Sequence, residues 1–114
     1  MREYKLYLKD VLNSINKINK YIKDISIDKL PENELIFDAV LRNLHIIGEA
    51  VKNIPLDIKN KYKEVEWKKI SGFRDILTHA YFGIEKEIIF EIIKDKLPLL
   101  EKQIKEILKK EQDE

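Results

Sequence analysis

The feature that most constrains the fold is an apolar repeat in the first quarter of the chain. Between residues 2 and 25, apolar side chains recur at alternating intervals of four and three positions. In a helix of 3.6 residues per turn this spacing forms one continuous stripe, which other helices must cover. The positions are Tyr4, Leu8, Val11, Ile15, Ile18, Ile22 and Ile25. The pattern predicts a long first helix with one buried face.

Helical spacing continues through the rest of the chain, and no long stretch alternates polar with apolar residues as strands do. We expect a second helix over residues 32–53, ended by Pro55, and a short helix within 55–66. A third helical region runs from Trp67 to about residue 82. A last helix covers residues 85–110, where Pro98 should kink or split it, and residues 111–114 should fray. The prediction is a single all-α domain, residues 1–114, built as an antiparallel bundle of four main helices and a short one.

Composition excludes several classes of protein. The chain contains no cysteine, so disulfide frameworks, cysteine-based zinc sites and thiol catalysis are ruled out. The longest uninterrupted apolar run is three residues, too short to cross a bilayer, and the first residues lack the apolar core of a signal peptide. We therefore expect a cytoplasmic protein with no membrane partner.

Charge is nearly balanced, with 22 basic and 21 acidic residues and a formal net charge of +1. This balance argues against a protein that coats nucleic acid through bulk charge. One stretch is locally basic, since residues 52–69 hold six lysines and three acids. The lysines are Lys52, Lys59, Lys61, Lys63, Lys68 and Lys69, and the acids are Asp57, Glu64 and Glu66. A solvated lysine-rich face explains this stretch more simply than a dedicated binding patch.

Residues 72–81 concentrate the side chains best suited to chemistry. They hold Arg74, one of three arginines in the chain, and His79, one of two histidines. Asp75 and His79 are four residues apart, so on a helix the carboxylate can accept a hydrogen bond from the imidazole. Arg74 and His79 are about 140° apart around an ideal helix, so one short ligand cannot easily meet both within one chain. A long arginine side chain, a nearby helix end or a second chain would reconcile them.

A second histidine offers a weaker candidate site. His45 and Glu49 are spaced to lie on one face of the second helix and could be two metal ligands. The sequence supplies no evident third ligand, so an exposed polar stripe with Arg42 is the favoured interpretation. We therefore predict no metal and no other cofactor.

The ordered set Arg74-x4-His79-x-Tyr81, on a late helix of a small all-α bundle, resembles the signature of the HEPN superfamily, and within it the HepT-like toxins. Three further segments are similar to that family, so the resemblance covers essentially the whole chain. They are Gly48-Glu49-Ala50, Trp67-x2-Ile70-x-Gly72-x-Arg74 and Asp95-x-Leu97-Pro98-x-Leu100.

The resemblance implies a metal-independent endoribonuclease that acts as a homodimer, with two motifs facing each other. The chemistry of the residues agrees with it. Histidine can act as base or acid near neutrality, and arginine can hold two phosphate oxygens and stabilise the charge that develops there. Our hypothesis assigns His79 as base or acid and Arg74 as phosphate clamp. Asp75 would support His79 by setting its tautomer and orientation.

The resemblance also implies regulation by a partner protein. In HepT-like toxins the tyrosine of the His-x-Tyr motif, here Tyr81, is where a minimal nucleotidyltransferase antitoxin of the MntA type attaches AMP, which silences the toxin. Two alternatives stay open. The chain could be a non-catalytic HEPN module that holds RNA or a nucleotidyltransferase, or it could itself be the antitoxin that restrains such a partner.

Overall fold

A computed structural model describes residues 3–81 and 86–112, and of residues 78–81 it describes the backbone alone. Within these ranges every regular element is helical, which confirms the all-α prediction. The helices are α1 (Tyr4–Ile22), α2 (Glu34–Lys52), α3 (Leu56–Lys61), α4 (Trp67–Ser71), α5 (Phe73–Tyr81), α6 (Lys86–Glu91) and α7 (Leu97–Lys110). A 3₁₀-helical segment (Ile27–Glu32) connects α1 to α2, and a π-helical segment (Ile92–Lys96) connects α6 to α7. None of the helices described is long and apolar enough to cross a membrane.

The apolar stripe of α1 forms the centre of the core. Leu8, Val11, Ile15 and Ile18 are at most 1% exposed, as the spacing predicts. The two ends of the stripe are only partly buried. α1 packs most extensively against α2, its neighbour in sequence, and also lies against α7. The first helix is therefore covered by one near and one distant part of the chain.

The third helical region is two helices rather than one. α4 ends at Ser71, and Gly72 separates it from α5. The Gly72 N–H still donates to the Lys68 carbonyl, but its ψ of 0° departs from helical geometry and turns the chain. The sequence has no proline at this break, so the apolar pattern predicted one continuous helix from Trp67 onward. That prediction was wrong.

A glycine on α2 allows the α4–α5 turn to pack closely. A Cβ atom added to Gly48 would lie 3.2 Å from the Ile70 carbonyl oxygen and 3.5 Å from the Phe73 Cβ. A side chain at this position would be in tight contact with the backbone of the turn, which would have to shift by a few tenths of an ångström. Gly48 thus sets how closely the start of α5 approaches α2.

The split at Pro98 is confirmed. The Leu97 N–H donates to the Ile92 carbonyl, five residues earlier, as in a π-helix. Proline has no N–H to donate, and its ring would clash with the carbonyl four residues before it in a continuous α-helix. The wider π turn relieves this clash and lets α7 begin with Pro98 in its first turn.

The predicted fraying of the C-terminal residues was wrong at Glu111, which is 1% exposed. Its carboxylate accepts hydrogen bonds from the hydroxyl of Tyr4 at 3.2 Å and from that of Tyr62, and from the Lys61 ammonium at 2.7 Å. These contacts attach the end of α7 to the beginning of α1 and the end of α3. We call this set of four residues the Glu111 cluster.

Candidate functional site

The backbone of α5 carries the whole candidate motif. The helix is held to the protein by Phe73 and Leu77, each about 4% exposed, which lie on its inner face. Arg74 and Asp75 occupy the opposite, solvent-exposed side. The local pattern explains this arrangement, because residues four apart share a face of a helix and the buried pair fixes the rotation of α5. The structure therefore presents Arg74 and Asp75 at the surface.

Glu49 of α2 is an acid that lies close to Arg74. Its Oε1 is 3.8 Å from the Arg74 Nη1, and the two side chains are 40% and 66% exposed. An exposed ion pair at this distance is weak, since water screens it. The contact does not bury the Arg74 side chain, which stays largely exposed.

Glu49 also borders a polar groove between α1 and α2. The groove has a volume of about 200 Å³, and Tyr7, Asp10 and His45 line it together with Glu49. It is contiguous with the Arg74 contact through Glu49. Tyr7 and Asp10 come from α1, and no spacing signal in the sequence predicts that helix packing places them in one groove with His45 and Glu49.

His45 and Glu49 do lie on one polar face of α2, as predicted, and Arg42 is exposed on the same helix. Among the residues that the structure describes, no three histidine, aspartate or glutamate side chains are grouped so that they could hold a metal ion. Glu49 is instead engaged with Arg74.

The other two motif residues are placed only by their backbone. Positions 79 and 81 belong to α5, four residues after Asp75 and seven after Arg74. The side chains of His79 and Tyr81 lie outside the described part of the structure. The Asp75–His79 hydrogen bond and the roles of His79 and Tyr81 therefore stay predictions.

An ion-pair cluster anchors the element that precedes α5. Glu66, directly before α4, accepts from Lys96 of the π-helical segment and from Lys69 of α4, each at 3.0 Å. The hydrogen bonds from Lys69 and Lys96 hold the pKa of the Glu66 carboxyl below its usual value, and Glu66 in turn raises the pKa of Lys96. This cluster joins the start of α4 to the π-helical segment that leads into α7.

Comparisons with known proteins point to one family. Residues 11–107 match the family model described as "Ribonuclease HepT-like". The protein "Putative RNase TTE0752" of Caldanaerobacter subterraneus subsp. tengcongensis is 42% identical over 97% of this chain and 99% of its own length. "Putative RNase MJ0127" of Methanocaldococcus jannaschii is 41% identical, over 95% of this chain and 89% of its own. "Probable ribonuclease HepT" of Thermococcus cleftensis is 34% identical, over 95% and 98%. No solved structure matches significantly.

Proposed function

This chain belongs to the HepT-like ribonuclease family, and we propose from that premise that it is a metal-independent endoribonuclease and the toxin of a toxin–antitoxin pair. The observation that carries the proposal is the outer face of α5, where Arg74 and Asp75 are exposed side by side on the helix that also contains position 79. That arrangement lies inside the matched residues 11–107.

The proposed reaction is attack by the RNA on itself. The 2′-oxygen of a ribose loses its proton to a base and bonds to the adjacent phosphorus, and the bond from phosphorus to the 5′-oxygen breaks as that oxygen gains a proton. His79 serves as base or acid, and Arg74 holds two non-bridging oxygens of the crowded phosphorane. Asp75 orients the His79 ring. The products are a 2′,3′-cyclic phosphate and a 5′-hydroxyl end.

A homodimer is part of this proposal. Arg74 and His79 are about 140° apart around α5, so two copies facing each other would supply both groups to one phosphate more readily than one copy does. Light scattering after gel filtration should give twice the 13.6 kDa of one chain. A monomer that still cleaves RNA would rule out a shared site.

The proposed control of the enzyme acts on Tyr81. A minimal nucleotidyltransferase of the MntA type would transfer AMP from ATP to the Tyr81 oxygen and release pyrophosphate. A bulky anion on this helix would repel RNA and compete for Arg74. Incubation with the partner and ATP should add the mass of AMP to the wild type and not to Tyr81→Phe, and RNA cleavage should stop only in the wild type.

The deciding experiment is RNA cleavage in EDTA by wild type, Arg74→Ala and His79→Ala, after intact-mass measurement has shown that Tyr81 is unmodified. We expect cleavage by the wild type, and loss of about a hundredfold or more in each variant. No cleavage by unmodified wild type on several RNAs would favour the non-catalytic binding module. Cleavage that neither substitution changes would place the site elsewhere.

A further inference from the structure

A groove between α3 and α4 gathers most of the lysines of the locally basic stretch. It is broad and open, with a volume of about 740 Å³. Of the six lysines between residues 52 and 69, four line it: Lys59, Lys63, Lys68 and Lys69. Lys61 is directed away from this set and binds Glu111. Folding thus turns a mildly basic sequence into a concentrated positive surface.

Positive side chains outnumber negative ones in the described lining of the groove. Glu66 is the one acid among the described lining residues, and it already accepts from both Lys69 and Lys96. Within the described part of the chain, Lys59, Lys63 and Lys68 form no ion pair shorter than 4.0 Å. Lys59 is half-buried, and this burial lowers the pKa of its ammonium group. An anion would supply the missing counter-charge.

Lys59 lies in α3, Lys68 and Lys69 lie in α4, and the turn that joins these helices carries Lys63. Val65 and Trp67 are 3% and 7% exposed and anchor the segment between α3 and α4. The Trp67 indole N–H donates to the Tyr62 carbonyl at 2.9 Å, which closes this turn on itself. Because the indole is buried and its donor is used, it offers no platform for stacking a base. The four ammonium groups of the groove are suited to phosphates, and Asn60 is the one uncharged polar side chain in the described lining.

The groove is close to the proposed cleavage site along the chain. Arg74 lies six positions after Lys68, so their Cα atoms would be at most about 21 Å apart even if the chain were fully extended. Stacked nucleotides place one phosphate about every 3.4 Å along a strand, so about six nucleotides span this limit. A strand of this length is therefore long enough to reach from the groove to Arg74.

We propose that this groove binds the sugar-phosphate backbone of the RNA, several nucleotides from the bond that is cleaved, without regard to sequence. The proposal rests on the proposed ribonuclease function for the identity of the anion. It assigns the affinity for long RNA to the groove and the chemistry to α5. Cleavage of a dinucleotide, which is too short to reach the groove, should not depend on it.

The test measures binding of a fluorescein-labelled single-stranded oligouridylate to the His79→Ala protein over a range of salt concentrations. The groove variant adds Lys59→Gln, Lys63→Gln and Lys68→Gln. Each phosphate contact on a single strand contributes about 0.7 to the slope of log affinity against log salt, so losing three should lower the slope by about 2. We expect affinity at 0.1 M salt to fall by about tenfold to a hundredfold.

The matched control removes the same charge elsewhere. Lys5, Lys9 and Lys109 line a second basic groove, between α1 and α7. The variant Lys5→Gln, Lys9→Gln, Lys109→Gln is made in the same His79→Ala background. Its slope of log affinity against log salt should stay close to that of His79→Ala alone, with a small decrease from the lower overall charge. Equal losses in the two triple variants, or no loss in the groove variant, would overturn the proposal.

The experiment separates this proposal from the proposed function. Binding is measured in a protein that cannot cleave, so it does not depend on nuclease activity. Wild type that binds through the groove but cleaves no RNA would refute the nuclease and leave the groove intact. Wild type that cleaves RNA, with a groove variant that binds and cleaves long RNA normally, would refute the groove alone.

Discussion

At the residue scale, the geometry of Arg74 matters as much as its charge. Lysine is the usual surface cation of this protein, yet an arginine stands on the exposed face of α5. A guanidinium can donate two parallel hydrogen bonds to a phosphate, whereas an ammonium acts as a point charge. Glu49 contacts one nitrogen of the guanidinium, and most of the Arg74 side chain stays exposed.

Arg74→Lys should therefore fail although the charge is kept. We expect kcat/KM for RNA cleavage to fall by about a hundredfold, since the two-point contact to the phosphorane is lost. Arg42→Lys, on the exposed face of α2, is the matched control and should cleave normally. Near-normal cleavage by Arg74→Lys would mean that charge alone suffices at this position. The measurement is initial cleavage rate over a range of RNA concentrations.

At the element scale, the close approach of α5 to α2 depends on Gly48, which has no side chain. In Gly48→Val, the new carbons meet the backbone oxygen of Ile70, which cannot swing aside as a side chain tip would. We expect a loss of about 1–3 kcal/mol in the free energy of unfolding by urea, and weaker cleavage because α5 is displaced. Asp38→Val places a valine on the exposed side of the same helix without the clash. Equal losses in the two variants would show that the packing is not tight.

The ion pairs that Glu66 forms with Lys69 and Lys96 should make the free energy of unfolding depend on pH. The pKa of Glu66 is lowered in the folded protein, so its contribution is present above the ordinary carboxyl value of 4.5 and is lost as pH falls below it. Glu66→Gln should be less stable than wild type at pH 7, and the two urea midpoints should converge below pH 4.5. Glu64→Gln, exposed and two residues away, should match wild type throughout. A difference that persists in acid would mean that Glu66 acts through packing and not through charge.

Sequence reasoning succeeded where a single element decides the outcome. The burial of the apolar stripe between Leu8 and Ile18 follows from the helical period. The split at Pro98 follows from the chemistry of one residue. It failed where distant elements meet. The turn at Gly72 lies where α4 and α5 pack against Gly48 of α2. Glu111 is an acid near the C-terminal end, which the sequence alone predicts to be exposed, but in the folded protein it is buried.

The candidate site divides in the same way. The exposure of Arg74 and Asp75 follows from the buried positions that flank them in sequence, so periodicity could predict it. The Glu49 contact and the groove that Tyr7 helps to form depend on how α1, α2 and α5 cross. Likewise, the six lysines of residues 52–69 gave no sign of which four would share a groove.

At the scale of the whole molecule, the Glu111 cluster connects three distant parts of the chain. In Glu111→Ala, two tyrosine hydroxyls lose a buried acceptor and a cavity forms, so we expect a loss of about 2–3 kcal/mol in the free energy of unfolding. Glu106→Ala, which removes an exposed pair with Lys110 on the same helix, should change it by about 0.5 kcal/mol or less. Similar losses in both would mean that the cluster is not a stabilising contact.

The Tyr4–Glu111 hydrogen bond also has a topological consequence. The two residues are 107 positions apart in sequence yet in direct contact. A short glycine-rich linker from beyond Glu111 back to the residues before Tyr4 would close the backbone into a ring at little strain. Cyclisation removes the entropy of closing so long a loop, worth up to about 4 kcal/mol. New ends cut into the turn after α1 would give a circular permutant that keeps the α5 surface intact.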